Sequence, residues 1–228
     1  MESHADSGTG PQAAAGWRII VMILAAAPVI LLAISGISSV LPKMEAALAR
    51  GPEGALLVKM LVGVVPAAMV AGAPLSGFLI DRIGLKKVMF ADYLVFTVAG
   101  FAGMFVDNLY IMIGLRFVLG LAAAGVGVTG IILINGWMPP EKRAFWLGTS
   151  ISAAMICAII VNPISGMLGE INWRYVFFIY LFGAPFALIT ATFPDDRPVS
   201  TTSADQPGGP AGDPILRWFP LWLGFLAF

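Results

Sequence analysis

Six apolar runs, each about twenty residues or longer, are the feature that most limits how this chain can fold. A helix of about twenty apolar residues crosses a hydrocarbon layer of about 30 Å. The runs lie near 17–41, 56–80, 87–106, 109–135, 146–169 and 174–193. Between them stand short breaks: Pro42 to Glu53, Asp81 to Lys87, Asp107-Asn108, Pro139 to Arg143 and Gly169 to Arg174. The first run is longer than the apolar part of a secretory leader and lacks a convincing cleavage site. It reads as a first membrane span.

Composition closes off the soluble alternative. Hydrophobic residues make up 59% of the 228 and charged residues 11%, with mean hydropathy +0.91. A soluble domain carries about 25% charged residues, so this chain cannot cover a water-facing surface. The lipid bilayer is the expected surrounding, and the fold class is an all-α integral membrane bundle. Formal net charge is zero, which offers no general attraction to nucleic acid. The single Cys157 sits in an apolar run and the single His4 in a polar tail. With no clustered carboxylates either, the sequence suggests no enzyme, no metal centre and no cofactor.

Lysine and arginine orient the spans, because cytoplasmic loops retain positive charge. With the amino terminus inside, Arg18, Arg82, Lys86, Lys87, Lys142, Arg143, Arg197 and Arg217 fall on the cytoplasmic side. Lys43, Arg50, Lys59 and Arg174 fall near the other. The expected organisation is a cytoplasmic tail over 1–16, a six-helix bundle over 17–193 and a polar linker over 194–214. The segment 215–228 reads as the truncated start of a seventh helix. A multi-pass protein of the plasma (inner) membrane follows.

The second and fifth runs end alike. Pro74-Leu75-Ser76-Gly77-Phe78-Leu79-Ile80-Asp81 parallels Pro163-Ile164-Ser165-Gly166-Met167-Leu168-Gly169-Glu170 at a constant offset of 89 residues (163 − 74). With three spans per copy, the second copy is inverted, putting Asp81 inside and Glu170 outside. Inverted three-helix repeats recur in secondary transporters.

Three short segments carry chemistry. In Gly77 to Lys87, Gly77 allows close helix contact and Gly84 a tight turn. Asp81 and Arg82 set opposite charges at the membrane edge, and Lys86 and Lys87 hold the loop inside. In the fourth span, Arg116 lies about 10 Å deep, where a charge is costly and must find a cavity or a partner. Gly120 and Ala124 put small residues on nearly the same helix face. In the fifth span, Asn162, Pro163 and Gly166 form either a functional bend or a proline-kinked packing segment.

The Gly77 to Lys87 loop resembles the signature between helices two and three of the major facilitator superfamily. Gly77, Asp81, Arg82, Gly84, Lys86 and Lys87 match it, while Leu85 stands where a basic residue is usual. The resemblance implies that Asp81 and Arg82 belong to a gating network with a carboxyl-terminal half. Arg116 to Ala124 is similar to the family's arginine motif, which implies a cavity or coupling role for Arg116 and Gly120. Asn162-Pro163-Ile164-Ser165-Gly166-Met167 partly resembles its antiporter motif, with Asn162 and Met167 in place of glycines. The resemblance covers Trp17 to about Pro194 and identifies an amino-terminal six-helix half.

The function implied is secondary active transport of a small solute by alternating access, as proton-coupled drug-type or metabolite efflux. The polar exit Phe193 to Pro198 tilts the reading toward efflux. Uptake of a small organic anion is the alternative, since Arg116 in a neutral cavity favours an anionic or polar substrate. The chain is expected to be inactive without the missing carboxyl-terminal half, and a truncated non-transporting membrane protein is the further alternative.

Overall fold

The computed structural model of the protein describes residues 11–49 and 51–192. The linker, the expected seventh-helix start, and Arg50, Arg197 and Arg217 of the charge comparison lie outside these residues, as does the tail to residue 10. Among the described residues the chain is helical throughout, with no strand. Six helical segments are long and apolar enough to cross a membrane: Gly16–Leu48, Gly51–Ile83, Leu85–Phe105, Leu109–Trp137, Pro140–Ile171 and Trp173–Ala191. They are called the first to sixth spans below.

The helices run past several breaks that the sequence suggests. Proline and charge at 42–53 and 139–143 read as loops, yet Leu41–Leu48, Gly51–Ile83 and Pro140–Ile171 are all helical there. Pro42, Pro52 and Pro140 sit in first turns, where a missing N–H leaves no bond unmade, and Pro139 is the N-cap before Pro140. The first helix likewise begins at Pro11, inside the stretch read as polar tail. Pro28, Pro66, Pro74 and Pro163 lie inside helices. Neighbouring spans make this tolerable in a membrane bundle, because they can re-satisfy the carbonyls that proline frees.

Span lengths differ for a physical reason. At 33 residues the second span is about 50 Å long and must project beyond the hydrocarbon layer. The sixth has only 19 residues. Its first part, Trp173–Gly183, is wound as a 3-10 helix, followed by α-helix over Ala184–Ala191. Eleven residues at about 2.0 Å each and eight at about 1.5 Å give about 34 Å, enough to cross.

Spans one and four lie deepest in the bundle; spans two and five expose most of their length. The contacts pair two with four, three with four, one with five, one with four and three with six. Exchanging the first triplet for the second turns the two–four contact into the five–one contact and the three–four contact into a slighter six–one contact, and leaves one–four and three–six unchanged. The bundle is therefore built from two inverted three-helix repeats.

Each contact has its own chemistry. Spans two and four meet through small residues: a Cβ on Gly120 would lie 2.7 Å from the Val65 carbonyl oxygen, and one on Gly72 2.8 Å from the Ala124 Cβ. Such close approach maximises dispersion contact where no hydrophobic effect drives helices together. Spans one and five are joined by hydrogen bonds instead. Ser150 Oγ donates to the Ile23 carbonyl at 2.7 Å, Ser165 Oγ to that of Gly36 at 3.1 Å, and Lys43 Nζ to that of Gly169 at 2.8 Å. The last of these serves a carbonyl at a helix end, which has no partner within the helix. Spans three and six pack aromatic rings into glycine positions, Tyr180 on Gly100 and Phe177 on Gly103.

Candidate functional site

The loop between the second and third spans is reduced to a single residue. The second span ends at Ile83 and the third starts at Leu85, with Gly84 between them at φ 91°, ψ 152°. That conformation is essentially closed to residues with a Cβ, so the reversal between the two spans requires glycine. Asp81 and Arg82 are exposed at the tip of the second span. The Arg82 guanidinium lies over the Phe78 ring at 4.2 Å. Lys86 is half-buried and Lys87 exposed at the start of the third span. Gly77 differs from the reading made of its sequence: a Cβ there would meet nothing within 4 Å, so it makes no close helix contact among the described residues.

Arg116 is the one charged side chain among the described residues that is fully buried, at 3% exposure. The fourth span positions it seven residues past Leu109, and the sixth span receives it. Arg116 Nη1 donates to Tyr180 Oη at 2.6 Å. Tyr180 Oη in turn donates to the Leu32 carbonyl at 3.4 Å, which links spans four, six and one. The guanidinium also lies 4.9 Å from the Tyr180 ring centroid and 5.5 Å from that of Phe177. Aromatic faces attract a desolvated cation by about 2 kcal/mol. Arg116 Nη2 is buried with no hydrogen-bond partner among the described residues.

Gly120, one turn along, faces the second span as described above. Asn162 and Pro163 are exposed on the fifth span, and Gly166 is half-buried with nothing within 4 Å of a Cβ. Between them Ser165 is buried and bonds the first span. Pro163 lies eight residues from the end of its helix and Arg116 seven from the start of its own. Both are thus roughly 10–12 Å from helix ends on the side of the bundle opposite the Gly84 turn. The sequence-derived groups are not gathered at one point: the Gly77 to Lys87 segment marks one edge of the bundle, and the other two lie in the opposite half.

Sequence reasoning missed Tyr180 and Gly36, because nothing local marks an apolar-run tyrosine as an arginine's partner. At the edge opposite the Gly84 turn it also missed Asp107, which pairs with Arg174 Nη2. Arg174 Nη1 donates to the Met104 carbonyl at 3.2 Å, so the start of the sixth span is tied to the end of the third. Asn108 and Asn172 cap the following helices, accepting from the backbone N–H of Tyr110 and Arg174.

These features match a known group of proteins. The sequence profile described as Major Facilitator Superfamily matches residues 22–228. The chain belongs to the major facilitator superfamily. It is a multi-pass integral membrane protein of a transporter family. It is 30% identical over 149 residues to a Bacillus subtilis protein named for niacin/nicotinamide transport, covering 62% of this chain and 36% of that protein. It is 32% identical over 88 residues to organic anion transporter 3 of Mus musculus, covering 39% and 16%. The fold is similar to that of a solved proton:xylose symporter, with TM-score 0.69 and 14% identity over 80% of this chain and 45% of that one. The chain thus spans less than half the length of the relatives it matches.

Proposed function

We propose that this chain is the amino-terminal half of a proton-coupled secondary transporter for small organic anions, working by alternating access against a carboxyl-terminal six-helix half. The observation that carries the substrate class is Arg116. It is a cation buried in the bundle, with one guanidinium nitrogen held by Tyr180 and another left without a partner. A charge inside the membrane is costly and marks a place where function needs it. The names of the relatives support the same direction and move the reading from drug-type efflux to uptake of organic anions.

In this reading Asp81 and Arg82, exposed at the tip of the second span, meet the partner half and bias which side of the cavity is open. The Asn162-Pro163 segment supplies a bend in the fifth span. In this reading the amino terminus is cytoplasmic, which the bias of basic residues supports, and the bundle sits in the plasma membrane.

Uptake of labelled monocarboxylates and dicarboxylates into vesicles carrying this chain and a carboxyl-terminal half tests the proposal. Anion uptake that is lost in Arg116→Ala and partly kept in Arg116→Lys is the expected result. Transport of neutral sugars in preference to anions, or undiminished anion uptake by Arg116→Ala, would overturn it.

A further inference from the structure

The offset of 89 residues reaches beyond the segment in which the sequence shows it. Gly36 in the first span and Gly125 in the fourth are 89 apart (125 − 36). Each is a notch that admits a polar side chain from the third helix of the opposite triplet. A Cβ on Gly36 would lie 2.5 Å from Tyr180 Oη, and one on Gly125 would overlap the Asp92 carboxylate. The two notches differ in how the visitor is satisfied. Tyr180 has Arg116 as donor and the Leu32 carbonyl as acceptor. Asp92 Oδ2 is buried with no hydrogen-bond partner among the described residues.

The ionisable groups on the neighbouring elements lie elsewhere along them. Arg116 is nine residues from Gly125 on the fourth span, about 14 Å away along its axis. On the sixth span, Tyr180 packs on Gly100, eight residues outward from Asp92, and Arg174 is at the outer edge. Asp81 and Arg82 are exposed at the tip of the second span. On the third span itself, Tyr93 follows Asp92 but packs against Phe186, while Lys86 and Lys87 are a turn and a half nearer the cytoplasm.

We infer that Asp92 is a proton-binding site of the bundle, seated in the Gly125 notch and loaded from the cytoplasmic side. The flank of a helix offers a visiting carboxyl group no free N–H, since these are used within the helix. Its carbonyls keep a second lone pair, although at Gly125 and Val126 the Thr129 hydroxyl already occupies it. The buried Oδ2 of a carboxylate, which only accepts, finds no donor there; a carboxylic acid brings an O–H that a free carbonyl lone pair can accept. Asp92 is seven residues, about 10 Å, from the inner start of its helix, and the residue as a whole is half-buried. Water can therefore deliver and remove the proton from that end. This site deepens the proton-coupled reading above and supplies the acid that Arg116 cannot.

Its test does not depend on transport. The chain in lipid vesicles is treated with a membrane-permeant carbodiimide, which modifies protonated carboxyl groups, and digested for mass spectrometry. An adduct on Asp92 that is abundant at acid pH and lost at alkaline pH is the expected result. An infrared carboxylic-acid band present in the wild type and missing from Asp92→Asn should follow the same pH course. Absence of both adduct and band, or an adduct indifferent to pH, would overturn the assignment. Failure of anion uptake with a pH-dependent adduct intact would count against the transport reading and leave this site standing.

Discussion

Tyr180 is the residue on which most of the buried polar structure converges. It accepts from Arg116, donates to the first span and fills the space beside Gly100 in the third. A hydrogen bond to a charged group contributes about 1.5–3 kcal/mol, and its loss inside a bundle leaves the charge without its donor-acceptor partner. Tyr180→Phe keeps the ring, the cation–π contact and the volume, and removes only the hydroxyl. It should lower stability by about 2 kcal/mol, measured by denaturant titration in mixed micelles. A value near zero would mean that the ring, not the hydroxyl, holds Arg116.

At the scale of helices, the two related contacts reach similar ends by different chemistry. Spans two and four approach through glycine and alanine, whereas spans one and five use serine and lysine donors. The consequence is a difference in tolerance. Gly120→Leu places a branched side chain where even a Cβ is only 2.7 Å from a backbone oxygen, so it should cost about 1–3 kcal/mol or more. Ser165→Ala removes one hydrogen bond and should cost about 0.6 kcal/mol. Thermal unfolding of the two variants in the same detergent would order them, and the reverse order would show that the five–one contact dominates. The sequence revealed much of this scale. Six spans, the inverted repeat and the Gly84 turn follow from run length, the 89-residue offset and a glycine at a reversal. What remained hidden depended on distance. Asn172 and Asn108 cap helices from within plain polar turns, and Arg116 finds a tyrosine 64 residues away. Proline and charge at 42–53 also misled, because a first turn accepts residues that would end a helix elsewhere.

The whole molecule sorts its polar ties by side. Arg18 Nη1 donates to the Thr192 carbonyl at one end, while Lys43, Arg174 and Asp107 tie helix ends at the other. A fluorescent protein fused at Gly84 should therefore fluoresce and a phosphatase fused there stay silent, with the opposite pattern at Asp107. Matching patterns at both sites would refute the six-span topology. Between these ends, spans two and five present broad apolar faces, including Val70 and Phe78 on one and Ile159 and Met167 on the other. They are suited to lipid or to packing against a second helical bundle. The 3-10 winding of the sixth span also sets a rule for inherited length changes. At three residues per turn, Arg174, Phe177, Tyr180 and Gly183 stand in one line, so the outer tie, both rings over Arg116 and the seat for Thr97 share a single register. One residue gained or lost within that line turns everything beyond it by a third of a revolution, whereas a change of three restores it. Among descendants of this sequence, the segment should drift in length by triplets or not at all.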